Sequence, residues 1–100
     1  MYIAMNRFRV AAGREAEFEK MWRERDSHLD GVLGFREFHL LRGPSADGVT
    51  LFASHSVWDS SEAFIAWTES DAFRKAHERA RAPEGVYLGP PSFEGFDAVI

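Results

Sequence analysis

Three side chains in this hundred-residue sequence are of types and at spacings that can do chemistry: Asn6 in an alternating stretch, and Trp67 and His77, ten residues apart within AWTESDAFRKAH. His77 shares a helical face with Phe73, Ala76 and Ala80, because these fall at i, i+3, i+4 and i+7, while Arg74, Lys75, Glu78, Arg79 and Arg81 fill the rest of the circle. A histidine so placed is either a core imidazole tied to a backbone carbonyl or a ligand for something held against the apolar face. Asn6 is the one amide in the row Tyr2, Ala4, Asn6, Phe8, Val10, where it bonds a neighbouring loop or faces a wet rim. Arg25 ends the stripe Phe18, Met21, Trp22, Arg25, and either snorkels to water or binds a carboxylate beside an apolar pocket. Nothing marks His39 or His55 as a metal ligand, and both are expected to face solvent from strands.

The elements that must position these groups follow from the pattern. Residues 2–10 alternate as a strand, Gly13 breaks it, and Arg14–Arg25 has helical spacing. Phe35–Arg42 and Val49–Trp58 are β-rich runs, expected to pair through a turn in GPSADG, residues 43–48. Asp59 and Glu62 have the spacing of a capping box, which opens a helical stretch over Asp59–Arg81. Thr68, Glu69, Ser70 and Asp71 interrupt its apolar pattern, so a break is expected there, with Ser70 capping the second segment. Pro83 stops the helix, and residues 82–92 are a Pro- and Gly-rich loop, a lid or an inert connector. Phe93–Ile100 closes the chain as a strand. The order βαββαβ predicts a ferredoxin-like α+β fold with an antiparallel sheet, in one domain spanning residues 1–100.

Composition narrows the classes. Fourteen aromatics, nine of them Phe and three Trp, are many for this length, so an aromatic core, a ligand pocket or a dimer face is implied. A net charge of −4, with cations interleaved among glutamates, argues against a nucleic-acid partner. The absence of cysteine excludes disulfides, thiolate catalysis and zinc–thiolate sites. Arg7 and Arg9 inside the first alternating run argue against a leader or a membrane span, so a cytoplasmic protein is expected.

The strand with Asn6, Gly13 and its aromatic helix, the pair Gly34-Phe35 and the run VWDSSEAFIAW together resemble the antibiotic biosynthesis monooxygenase superfamily of dimeric α+β barrels. The trio Asn6, Trp67 and His77 resembles, within it, the IsdG-type haem-degrading monooxygenases. The resemblance implies His77 as the proximal ligand to haem iron, with Asn6 and Trp67 on the distal side. Asn6 would then donate a hydrogen bond to dioxygen on the iron, and the bulk of Trp67 would ruffle the porphyrin. Trp22, Phe64 and Phe73 would line the haem pocket, and Arg25 or a loop residue would meet a propionate. It further implies a homodimer with a haem in each subunit, haem b serving as both substrate and cofactor, dioxygen as oxidant and an external reductase as electron source. Two other functions fit the same features: a cofactor-free monooxygenase of phenolic polyketides, which has no need of His77, and a non-catalytic haem-binding or trafficking protein, which relaxes Asn6 and Trp67.

Overall fold

The computed structural model describes residues 1–25, 28–78 and 85–100. Its elements are β1 (Tyr2–Ala11), α1 (Glu15–Glu24), β2 (Phe35–Ala46), β3 (Val49–Trp58), α2 (Ser61–Thr68), α3 (Asp71–Glu78) and β4 (Ser92–Asp97). The strands form one sheet in the order β2-β3-β1-β4, every pair antiparallel. This is the ferredoxin-like arrangement that the element order predicts, with the second helix divided into α2 and α3.

The division has the expected cause. The Ser70 hydroxyl donates to the Trp67 carbonyl at 2.6 Å and accepts from the Phe73 amide at 3.1 Å, so one side chain closes α2 and opens α3. At the start of α2 the expectation is corrected: Ser60, not Asp59, is the N-cap, its oxygen accepting from Ala63 N at 3.2 Å. Asp59 pairs with Arg36 on β2 instead. The β2–β3 turn is also tighter than the six-residue turn expected. Asp47 and Gly48 both have positive φ, 54° and 79°, and Ala46 pairs directly with Val49, so two residues make the turn and β2 runs on through Pro44 at a register shift between Arg42 and Ser45. The expected extension of the second helical segment to Ala80 and Arg81, and its stop at Pro83, lie outside the described residues.

The register decides where the core sits. Tyr2, Ala4, Asn6, Phe8 and Val10 of β1 stand opposite Trp58, Ser56, Ser54, Phe52 and Thr50 of β3, so these ten side chains share the helix-covered face. At one end α1 lowers Phe18 onto Phe8 (ring centroids 5.4 Å) and Phe52 (4.8 Å), in a cluster with Val10 and Val86. At the other end α2 and α3 bury Trp67 and Ala76 against Ala4, Leu29 and Trp58. Asn6 and Ser54 belong to neither cluster. They form the strip of sheet between them.

Gly34 sets how closely α2 approaches the sheet. It has φ of 83°, its carbonyl accepts from Asp59 N at 2.8 Å, and a Cβ there would lie 2.5 Å from Ala63 Cβ. After the last helix, Val86 is fully buried and Tyr87 stacks on Phe8 with ring centroids 5.8 Å apart. Ala11 N donates to Val86 O at 2.8 Å and Leu88 N to Arg9 O at 2.9 Å. The described part of the 82–92 loop is thus a piece of the core docked on β1, neither a lid nor an inert connector. His39 and His55 face each other on the opposite side of the sheet, ring centroids 6.1 Å apart; His39 is exposed, as expected, while His55 is half-buried, with Nδ1 buried and without a hydrogen-bond partner among the described residues.

Candidate haem-binding site

A cavity of about 470 Å³ fills the space between the two clusters, a size ordinary for small-molecule and cofactor sites. Its floor is the central strip of sheet: Ala4 and Asn6 from β1, Ser54, Ser56 and Trp58 from β3, Phe38 from β2 and Phe93 from β4. Trp22 and Arg25 wall it on the α1 side, Phe64, Trp67 and Thr68 on the α2 side, Phe73 and His77 on the α3 side, and Leu29 from the α1–β2 connection completes it. All seven residues singled out in the sequence, Asn6, Trp22, Arg25, Phe64, Trp67, Phe73 and His77, therefore line one cavity.

His77 has its ring fixed from both nitrogens. Nδ1 lies 2.8 Å from the carbonyl oxygen of Phe73, one turn earlier on α3, and Nε2 lies 2.8 Å from an Arg25 guanidinium nitrogen. A carbonyl only accepts and a guanidinium only donates, so both contacts require the same neutral tautomer, protonated on Nδ1 and with the Nε2 lone pair free to accept. The Phe73 ring packs against the imidazole at 4.0 Å between centroids. An edge of His77 stays exposed, but desolvation and the neighbouring Arg25 charge outweigh the Phe73 carbonyl and hold the imidazole below its ordinary pKa. A backbone acceptor on one nitrogen and a lone pair on the other is the arrangement of a metal-ligating histidine with its supporting contact. The two readings open in the sequence, a carbonyl-tied imidazole and a ligand, therefore coincide in one geometry.

Arg25 is the C-cap of α1, and its extended backbone (φ −79°, ψ 129°) takes it out of the helix in which the spacing placed it. Its guanidinium carbon sits 4.5 Å from the centroid of the Trp22 ring. Burial lowers its pKa from the ordinary value, the nearby Tyr87 opposing, and its Nε is buried with no hydrogen-bond partner among the described residues. Arg25 is half-buried and meets no carboxylate of this chain among the described residues; its guanidinium meets His77.

Trp67 is only 7% exposed, stacked on Trp58 at 6.3 Å and edge-on to Phe73 at 5.6 Å, so it belongs to the core as much as to the cavity wall. Phe64 stacks flat on Phe93 at 5.6 Å, with 6° between the ring planes, and Trp22 on Phe38 at 5.7 Å. Aromatic rings in register on both sides give the cavity flat walls. On its floor, Ser56 is occupied, accepting from Trp58 Nε1 at 2.9 Å and donating to the Ala4 carbonyl at 3.4 Å. Asn6 and Ser54 have side chains with no hydrogen-bond partner among the described residues, leaving an amide and a hydroxyl side by side under the cavity.

The residues missed from the sequence are mostly those that line the cavity from other strands, with Leu29 of the α1–β2 connection and Thr68 of α2 besides. Ser54, Ser56 and Trp58 alternate along β3 and face Asn6 and Ala4 once the pairing with β1 is known. The alternation was readable, but the register that brings the serines under the cavity was not. Phe38 and Phe93 are the corresponding contributions of β2 and β4.

No described cluster of three or more His, Asp or Glu side chains could hold a bare metal ion. A single imidazole whose Nε2 lone pair faces the cavity and accepts from Arg25, beside flat apolar walls, fits instead a metal whose other ligands come with the ligand itself, as in a porphyrin.

Comparison with known proteins points the same way. Residues 1–79 match the model of the family described as antibiotic biosynthesis monooxygenase. The chain is 34% identical over 80 residues, 80% of this chain and 73% of the relative, to a mycobilin-producing haem oxygenase of Mycobacterium tuberculosis. Among solved structures it is similar to MhuD, a haem degrader from Mycobacterium tuberculosis with two haems bound in its active site (28% identity, TM-score 0.76, covering 100% of this chain and 97% of that one). An MhuD variant holding two manganese protoporphyrin IX molecules per active site gives 29% identity and a TM-score of 0.79, covering 100% and 96%. A cofactor-independent oxygenase from Streptomyces nogalater shares the fold at 21% identity, TM-score 0.66, covering 97% and 92%.

Proposed function

The chain belongs to the antibiotic biosynthesis monooxygenase family, and from that premise we propose that it is a haem-degrading monooxygenase that binds haem through His77 and opens the porphyrin ring with dioxygen and electrons from an external reductase. The observation that carries this reading is the pair of contacts on His77: Nδ1 tied to the Phe73 carbonyl and Nε2 with its lone pair turned to a donor on the cavity wall. A cofactor-free oxygenase has no use for an imidazole held in that tautomer.

Bound haem supplies the iron that activates dioxygen and the meso carbon that is oxidised. The protein's own part is positioning. His77 would hold the iron from α3. Asn6, whose side chain has no hydrogen-bond partner among the described residues, would donate a hydrogen bond across the cavity and orient the oxidant toward the ring. Trp67, packed between Trp58 and Phe73, would be a firm wall against the ring and would supply the steric pressure that shapes it. Trp22, Phe64 and Phe73 exclude water from the faces of the ring, and Arg25 stands where a propionate can reach it.

A homodimer completes the reading. The helix-free side of the sheet exposes Phe96 and Leu41, and a second copy packed there would close the sheets into a barrel. Sedimentation as a monomer at micromolar concentration would refute that assembly.

The decisive experiment is titration with hemin followed by ascorbate in air with catalase present. A Soret band that forms and then decays, with an open-chain tetrapyrrole and released iron as products, is expected. A stable Soret band under those conditions replaces the enzyme by a haem carrier, and no Soret band returns the family's cofactor-free chemistry.

A further inference from the structure

The nitrogen that would ligate iron is already taken. An Arg25 guanidinium nitrogen lies 2.8 Å from His77 Nε2, and a lone pair that accepts from a guanidinium cannot at the same time be donated to a metal. We propose that Arg25 is a displaceable cap on His77: in the unloaded protein it fixes the tautomer and orientation of the imidazole, and it surrenders Nε2 to the metal as a metalloporphyrin enters.

Four observations fit a cap made to be removed. First, Arg25 stands just past the end of α1 on extended backbone, so its side chain can swing without disturbing a helix. Second, its guanidinium is held by stacking on Trp22 and by His77, a neutral acceptor, and it has no ion-pair partner among the described residues. Third, its Nε is buried without an acceptor among the described residues, so the capped position leaves a charged donor group only partly satisfied and keeps the arrangement from becoming a trap. Fourth, the ring does not depend on Arg25 alone: the Phe73 carbonyl keeps Nδ1–H in place after the cap leaves, so the lone pair remains aimed into the cavity. Displacement then exchanges one hydrogen bond for one coordinate bond, and the freed guanidinium gains access to any carboxylate carried by the incoming ring. This places Arg25 as a positioning residue for His77 as well as a partner for a propionate.

The cap itself does not rest on the haem reading, so it is tested first without haem. Diethyl pyrocarbonate acylates unprotonated, uncapped imidazole nitrogens, and its rate at each histidine is read by peptide mass spectrometry. Arg25→Met keeps an apolar stem on Trp22 and removes every donor. Carbethoxylation of His77 is expected to accelerate about tenfold in that variant, the factor carried by a hydrogen bond of about 1.4 kcal/mol, with His39 and His55 unchanged as internal references. Equal rates at His77 in parent and variant would overturn the cap. Should Arg25→Met melt early or alter the rates at His39 and His55, Arg25→Lys is the second variant. It keeps the charge and an N–H donor group, loses the planar fork, and is expected to lie between the two.

The second arm separates capping from propionate binding. Iron(III) protoporphyrin dimethyl ester carries no carboxylate, so a residue that only binds propionates leaves its association unchanged on mutation. A cap slows it, and Arg25→Met should acquire the five-coordinate spectrum several-fold faster than the parent. If the acylation arm succeeds and neither porphyrin gives a spectrum that depends on His77, the contact stands and the haem function fails. If hemin is ligated by His77 but the ester associates at the same rate in parent and variant, the haem function stands and displacement of a cap does not control loading.

Discussion

Asn6 and Ser54 stand directly opposite each other across β1 and β3, on the strip of sheet that neither aromatic cluster covers, and neither side chain has a hydrogen-bond partner among the described residues. Two polar groups side by side under an otherwise mainly apolar cavity contribute nothing evident to the fold, so their removal should separate function from stability. Asn6→Ala is expected to leave the melting temperature nearly unchanged and hemin affinity close to that of the parent. Turnover should fall roughly ten- to a hundredfold, the loss of about 1–3 kcal/mol of hydrogen bonding made mainly in the transition state. Ser54→Val should also lower turnover, by less, since it leaves the Asn6 amide in place. A large drop in melting temperature for Asn6→Ala would show instead that the amide holds the fold.

Trp67 behaves differently because it is both wall and core. Truncation to Ala would open a cavity between Trp58 and Phe73 and cost about 3–5 kcal/mol of stability, so any loss of turnover in that variant mixes two causes. Trp67→Phe keeps most of the packing. If bulk against the porphyrin is what matters, Trp67→Phe retains more turnover than Trp67→Ala at temperatures where thermal melts show both variants folded. Equal turnover in the two at such a temperature would remove Trp67 from the mechanism.

His77→Ala should abolish five-coordinate haem ligation and leave the fold intact. The ring keeps an exposed edge, and its two hydrogen bonds are to a helix carbonyl and to a displaceable side chain. The pH dependence has a definite sign. With the folded-state pKa held below the ordinary value of 6.5, the imidazole stays neutral, and so able to ligate, to a lower pH than a free histidine would. As pH falls below about 6.5 the unfolded chain takes up a proton before the folded one does, so this group subtracts stability on the acid side and nothing above it. The titration of the His77 ring in the protein without haem, followed by NMR of its ring protons, should accordingly have its midpoint below 6.5. A midpoint above that value would contradict the environment found for His77.

How much of this was legible in the sequence depended on whether a feature was local. The alternation that puts Asn6 on the row with Phe8 and Val10, the α2–α3 break at Ser70 and the helical face shared by Phe73 and His77 rest on spacing and capping, and each is as expected. The N-cap was misjudged because Asp59 and Ser60 are both good caps, and Arg36, distant in sequence, draws Asp59 away. The β-turn was misjudged because Gly43 and Pro44 signal a turn as strongly as Asp47-Gly48, and only pairing with β3 decides between them. Ser54 beside Asn6, Arg25 on His77 and Val86 in the core all depend on strand register or on a return of the chain, which periodicity does not encode.

Gly34 offers a test of how the site is held at a distance. It lies outside the cavity, but its positive φ and the 2.5 Å that a Cβ would leave to Ala63 mean that any side chain pushes α2 away from β2. Gly34→Ala is expected to destabilise the protein by about 1–3 kcal/mol, the scale of strained backbone and a displaced contact. It should also weaken catalysis, because Trp67 and Phe64 ride on that helix. Asp59→Asn is the control at the same junction. It removes the ionic partner of the exposed Arg36 but leaves the Gly34 carbonyl accepting from the backbone amide, so its cost should be within about 1 kcal/mol. Thermal melts and turnover of the two variants decide the matter: a Gly34→Ala protein as stable as Asp59→Asn, with parental turnover, would show that α2 is not seated by the close approach at Gly34.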